Sequence, residues 1–89
     1  MELSKMLTLS TAHMSKRTAD NLDNLISNYK NEYGWIIPVD DDKEYLLEFL
    51  EQAPKDLCNI MLFALDNKCN WIHLDSDGEM ISGLPTYKW

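Results

Sequence analysis

The residues of this 89-residue chain with the most chemical capacity fall just after three short apolar segments. Thr11 and His13 follow the first, Asp40, Asp41 and Asp42 the second, and Asp75 and Asp77 the third. If the three segments are parallel strands, their carboxyl ends share one rim, which is where open α/β sheets bind ligands. A rim of carboxylates suits a hard cation, and His13 beside it could serve as acid or base. The same residues have a plainer account. The Asp run can cap a helix, and residues 75–78 can form a turn.

Other constellations are weaker. Asp75-x-Asp77-Gly78 has the start of a calcium loop, but His73 and Leu84 stand where the remaining carboxylates belong. Cys58, Cys69 and His73, with His13 at a distance, match no short zinc spacing. His73 alternates with Ile72 and Leu74, so it reads as a half-buried, hydrogen-bonded strand residue on the opposite sheet face. Ser10, Thr11, Cys58 and Cys69 could act as nucleophiles, yet none sits in a Gly-x-Ser-x-Gly elbow. Three glycines leave little room for a phosphate loop. No catalytic residue, metal or cofactor is expected, and the chain is not read as an enzyme.

The elements that would position these groups follow from apolar periodicity. Residues 6–10 alternate and read as a strand. Ser15 is a good N-cap, and Ala19, Leu22, Leu25, Ile26 and Tyr29 recur at helical spacing, which predicts one amphipathic helix fading near Asn31. Residues 35–39 are a β-branched run with Pro38 at a sheet edge or strand end. Asp42 and its neighbours open a second helix whose stripe is Leu46, Phe49, Leu50 and Ala53. Pro54 breaks it and opens a third over 55–67. Residues 71–74 read as a strand, and Asp77-Gly78 predicts a hairpin returning through 79–82. The expected fold class is α/β, in the order β-α-β-α-α-β-β. It has a three-stranded parallel core sheet, one short antiparallel hairpin strand, and helices on at least one face. Leu7, Leu9, Leu22, Leu25, Ile26, Trp35, Ile37, Leu46, Phe49, Leu50, Met61, Leu65 and Ile72 are the expected core.

Size and charge narrow the function classes. The length suits one domain, residues 1–89, and 45% hydrophobic residues allow a core without staples. Fifteen acidic against eight basic residues give a net charge of −7. That argues against direct contact with nucleic acid or anionic lipid, which need a basic footprint. It permits a basic protein partner. The N-terminal segment has no apolar stretch of signal-peptide length and no run is long enough to span a membrane, so the chain is expected to be cytoplasmic with reduced thiols. Glu44, Glu48 and Glu51 share one helical face and, with Asp40, Asp41 and Asp42, form an acidic surface. Asp56 and Asp66 are expected to join it. Trp89 is a candidate interface anchor beside it.

Several segments carry a resemblance. They are Leu9-Ser10-Thr11-Ala12-His13, Tyr33-Gly34-Trp35, Trp71-Ile72-His73-Leu74-Asp75 with Asp77-Gly78, and the ending Gly83-Leu84-Pro85-Thr86-Tyr87-Lys88-Trp89. Together they resemble a family of small bacterial proteins of unknown function carried on phages, plasmids and integrated elements. The resemblance implies a genomic setting and supplies no activity. The expected function is a small acidic protein-binding module. It would act as a mobile-element inhibitor of a host system, for example an anti-defence or anti-CRISPR protein occupying a basic groove. The alternative is an enzyme or ligand-binding domain using the rim of Thr11, His13, Asp40, Asp75 and Asp77.

Overall fold

A computed structural model describes residues 3–89. The reading of the N-terminal segment reaches residues 1 and 2, which lie outside the described residues. The strands are β1 (Met6–Ser10), β2 (Tyr29–Asn31), β3 (Gly34–Pro38) and β4 (Trp71–Asp75). The helices are α1 (Lys16–Asp20), α2 (Leu22–Leu25), α3 (Lys43–Gln52) and α4 (Lys55–Asp66), with a 3-10 turn at Thr11–His13. The strands form one mixed sheet in the order β1-β4-β3-β2.

The α/β class holds, but the three-stranded parallel core does not. Only β1 and β4 run parallel, and β3 is antiparallel to both of its neighbours. One reason is the hairpin from β2, which turns β3 against β1, and the other lies at Pro54. A crossover with one helix returns the chain to the end where the preceding strand began, which makes the next strand parallel. Ala53 is extended (φ −75°, ψ 154°) and splits the crossover into α3 and α4. Two helices bring the chain back to the end it left. Pro38 therefore pairs with Trp71, and the Val39 N–H donates to the Asn70 carbonyl at 2.8 Å.

Two further expectations are corrected. The single helix from Ser15 to Asn31 is instead α1 and α2, broken at Asn21, followed by β2. The Asn31 side-chain carbonyl accepts from the Tyr33 and Gly34 N–H groups at 2.9 Å each, turning β2 into β3 through two residues. Helical spacing at Leu22, Leu25 and Ile26 is real, but this turn captures the residues beyond it. The hairpin strand over 79–82 is absent. The Asp75–Gly78 turn forms, with its N–H···O bond at 2.9 Å. However, β4 already has β1 on one edge and β3 on the other, so no edge remains for a returning strand. The chain crosses the end of β1, where Ser10 N–H donates to the Glu79 carbonyl at 2.9 Å.

All helices pack on one face of the sheet. Leu9, Ile37, Ile72 and Leu74 from the strands form one buried cluster with Met14, Leu22, Ile26, Phe49, Leu57, Ile60, Met61 and Ala64. Leu7, Leu25, Trp35, Leu46, Leu50 and Leu65 pack against it, so the expected core residues all lie in or on this cluster. The alternate strand residues face the other way. Met6 and Thr8 there are exposed, and Ile36, Trp71 and His73 are half-buried. The domain thus has two layers, and one sheet face has no helix over it.

Candidate functional site

The rim at the strand ends comes apart. With β3 reversed, Asp40 lies at the end of the sheet where β4 begins, whereas Ser10 and Asp75 mark the opposite end. Asp40 therefore does not meet Thr11, His13, Asp75 or Asp77. Each of these residues has a structural task. The Asp75 carboxylate accepts from the Asp77 N–H at 2.9 Å, and the Thr11 carbonyl accepts from the Met14 N–H at 3.0 Å. His73 is half-buried on the face opposite Ile72 and Leu74, as expected. Its Nε2, expected to be hydrogen-bonded, is buried without a partner and lies 3.9 Å from Asp75 Oδ2.

His13 is a clamp for the C-terminal segment. The ring is 2% exposed. Nδ1 donates to the Pro85 carbonyl at 2.9 Å, and Nε2 accepts from the Ile81 N–H at 2.8 Å. A carbonyl can only accept and an amide N–H can only donate, so the contacts select the neutral ring with the proton on Nδ1. Two more bonds hold the segment: Tyr87 N–H to the Ala12 carbonyl, and Trp89 Nε1–H to the Met14 carbonyl, both at 2.8 Å. The Trp89 ring is 57% exposed and sits 6.5 Å from Trp35. Trp89 is therefore partly anchored to its own domain.

The acidic surface is assembled as the spacing implies. Asp40, Asp41, Asp42, Glu44, Glu48 and Glu51 are all exposed. Asp42 caps α3 by accepting from the Glu44 and Tyr45 N–H groups at 3.0 and 3.4 Å. Glu44, Leu47, Glu48 and Glu51 lie at i, i+3, i+4 and i+7 on the outer face of α3, and Leu47 is 63% exposed among them. Among the described residues none of these carboxylates makes an ion pair. Tyr45 stacks on Phe49 at 6.3 Å and separates two clefts, one of about 230 Å³ reaching Glu48 and one of about 420 Å³ reaching Asp40 and Asp41. The helix thus offers an acidic ridge with an apolar residue at its centre, and the two clefts lie along its Tyr45 side.

Residues 6–89 match the C-terminal domain of a family of unknown function, DUF5983. The chain belongs to that family. No curated protein and no solved structure matches it significantly. The match to the DUF5983 domain covers β1 through the clamped C-terminal segment, including α3, and it brings no assigned activity.

One acidic residue of this DUF5983 domain departs from expectation. Asp56 is 6% exposed and does not join the acidic surface. Its carboxylate accepts from the Ser15 N–H at 2.8 Å and the Thr18 hydroxyl at 3.0 Å, tying the start of α1 to the start of α4. Beside it, Arg17, Lys55 and Tyr87 line a cleft of about 510 Å³. The sequence signal was ambiguous, because an acid in the first turn after Pro54 is equally well explained by the helix dipole. Both cysteines are free thiols. Burial first, and the Asp56 carboxylate second, push the Cys58 thiol up from its ordinary range. Its Sγ–H points at the Leu50 and Ala53 carbonyls at 3.6 and 3.5 Å.

A pH dependence follows from that direction. The folded thiol keeps its proton above the ordinary thiol value, while the unfolded thiol loses it. The unfolded state then binds fewer protons, so stability falls as pH rises. The contribution is complete below about pH 8.5 and is lost as pH climbs from there through the raised folded value. Alkylation of Cys58 by iodoacetamide should be slow at neutral pH, and Asp56→Asn should speed it. Equal rates for Cys58 and a free model thiol would show that neither burial nor Asp56 acts on this sulfur.

Proposed function

We propose that this domain is a non-enzymatic protein-binding module that presents α3 to a basic surface. The observation that carries the reading is the unpaired acidic face of Glu44, Glu48 and Glu51 around exposed Leu47, on a helix whose last turn holds no basic residue. Glu48 and Glu51 sit toward the negative end of the helix dipole, where an anion is disfavoured by about 0.3–1 kcal/mol. Like charges at these spacings add about 0.2–0.5 kcal/mol per pair. Helix stability alone would favour lysine there. Charge placed against local energetics supports a role in recognition. The resemblance to families on mobile elements supports a finer reading, an inhibitor that occupies the basic groove of a host protein. The chemistry expected of the partner is a cationic surface with an apolar recess for Leu47.

Replacing Glu48 and Glu51 together by Lys tests this. The double variant should gain about 0.5–1.5 kcal/mol in urea unfolding, from the same dipole and pair effects. It should also capture the partner at least tenfold more slowly, within the range of electrostatic rate enhancement. The partner comes from affinity capture out of the bacterial host with mass spectrometry. Surface plasmon resonance across a salt series then reads the rate, which should fall with salt for the wild type. Unchanged association in the variant, with a salt-independent wild-type rate, would leave the acidity as a solubility feature alone.

A further inference from the structure

We propose that the cleft where α1, α4 and the C-terminal segment meet binds a small phosphate monoester carried on an apolar or aromatic body. The cleft measures about 510 Å³, and Arg17, Lys55 and Tyr87 line it, with Asp56 in its wall. Small-molecule sites occupy about 300–1,000 Å³, so the space suits a compact ligand.

The charges in the cleft select the ligand. The chain has fifteen acidic residues against eight basic ones, yet two cations and one carboxylate line this cleft. The carboxylate is already engaged. Asp56 is 6% exposed, and its two oxygens accept from the Ser15 N–H and the Thr18 hydroxyl. The cations are not engaged. Arg17, the chain's one arginine, and Lys55 are both exposed, and among the described residues neither makes an ion pair. A guanidinium fork beside an ammonium matches an oxyanion, and the three terminal oxygens of a phosphate monoester offer each cation an acceptor. Leu25, Pro54 and the half-buried Tyr87 give the cleft an apolar wall for the body of the ester.

The fold brings these groups together before any ligand arrives. Asp56 ties the start of α1, which carries Arg17, to the start of α4, which begins at Lys55. Tyr87 is held by its N–H, which donates to the Ala12 carbonyl at 2.8 Å. Groups placed in advance cost less ordering on binding. The surrounding charge also limits the size of the ligand. A nucleic acid or an anionic membrane would press further phosphates against an acidic surface, whereas a single phosphate ends inside the cleft. At physiological salt the more distant carboxylates are screened beyond about 8 Å. The site lies on α1 and α4 and is independent of the α3 reading.

An NMR titration of the isotope-labelled full chain with phenyl phosphate tests the proposal. The expected result is saturable shifts at Arg17, Lys55 and Tyr87, with a dissociation constant of about 1 mM or tighter. Inorganic phosphate should shift the same residues but bind more weakly, because it lacks the apolar body, and phenol should not bind. Arg17→Gln together with Lys55→Gln should weaken phenyl phosphate at least tenfold, the effect of one lost hydrogen bond to a charged group. One change takes a cation from the last turn of α1 and the other takes one from the first turn of α4. The two dipole effects oppose each other, so the double variant should melt close to the wild type. Shifts that do not saturate, or that fall equally on Lys43 and Lys68 outside the cleft, overturn the proposal. So does benzoate binding as tightly as phenyl phosphate, or a double variant that binds like the wild type.

Discussion

Asp56→Ala should lower the free energy of unfolding by about 2–5 kcal/mol. The substitution removes the acceptor of two hydrogen bonds, one of them buried, and leaves the Ser15 N–H and the Thr18 hydroxyl without that acceptor at the wall of a cleft. Each buried polar group left unsatisfied costs about 1–3 kcal/mol. The loss also takes a negative charge from the first turn of α4, whose N-cap, Pro54, offers no side-chain acceptor. For a domain whose whole margin is about 5–15 kcal/mol, this is a large share. Asp56→Asn keeps one carbonyl acceptor and should cost roughly half as much, within the range for a single lost bond. Urea unfolding of the two variants gives the comparison. Wild-type stability in Asp56→Ala would show that the junction of α1 and α4 is held by packing alone.

Gly34→Ala should be at least as damaging, about 3 kcal/mol or more, and should unfold much of the protein at 37 °C. A Cβ at Gly34 would overlap the Leu74 carbonyl oxygen, at the end of the β3–β4 pairing. Backbone on a central strand cannot step aside without breaking the pairing of Gly34 with Asp75. Gly83 supplies the control. Its φ is +96°, which disfavours a side chain, but nothing lies within 4 Å of the added atom. Gly83→Ala should cost only about 1 kcal/mol, the conformational penalty alone. Similar melting points for the two variants would mean that the close approach at Leu74 relaxes readily.

The amphipathic spacing within each element was legible, and so was the local chemistry at its ends. Ser15 and Asp42 cap the helices they were expected to cap. Pro38 ends its strand and Ala53 leaves helical geometry before Pro54. These features depend on neighbours a few residues apart. The α3 acidic face was legible for the same reason, since helical periodicity alone decides which side chains share a side. The ligand rim was not, because it required the direction of β3.

What the amino-acid order determined by itself is therefore the apolar face of α3, α4 and the three longer strands, much of the core, and the acidic face of α3. Tertiary structure decided three things. The β2–β3 hairpin reversed β3, and two helices between β3 and β4 brought β4 back parallel to β1, which left Asp40 at the far end and dispersed the rim. The central position of β4 used both of its edges and sent the last segment to His13 instead of into a hairpin. The meeting of α1 with α4 turned Asp56 from a surface acid into a buried tie. In each case the deciding contact joins residues far apart in sequence: Gly34 with Asp75, Ser10 with Glu79 and Ser15 with Asp56 are pairs that no local pattern reveals. Periodicity reports which face of an element is apolar. It carries no information on which other element covers that face, in which direction, or whether anything covers it at all.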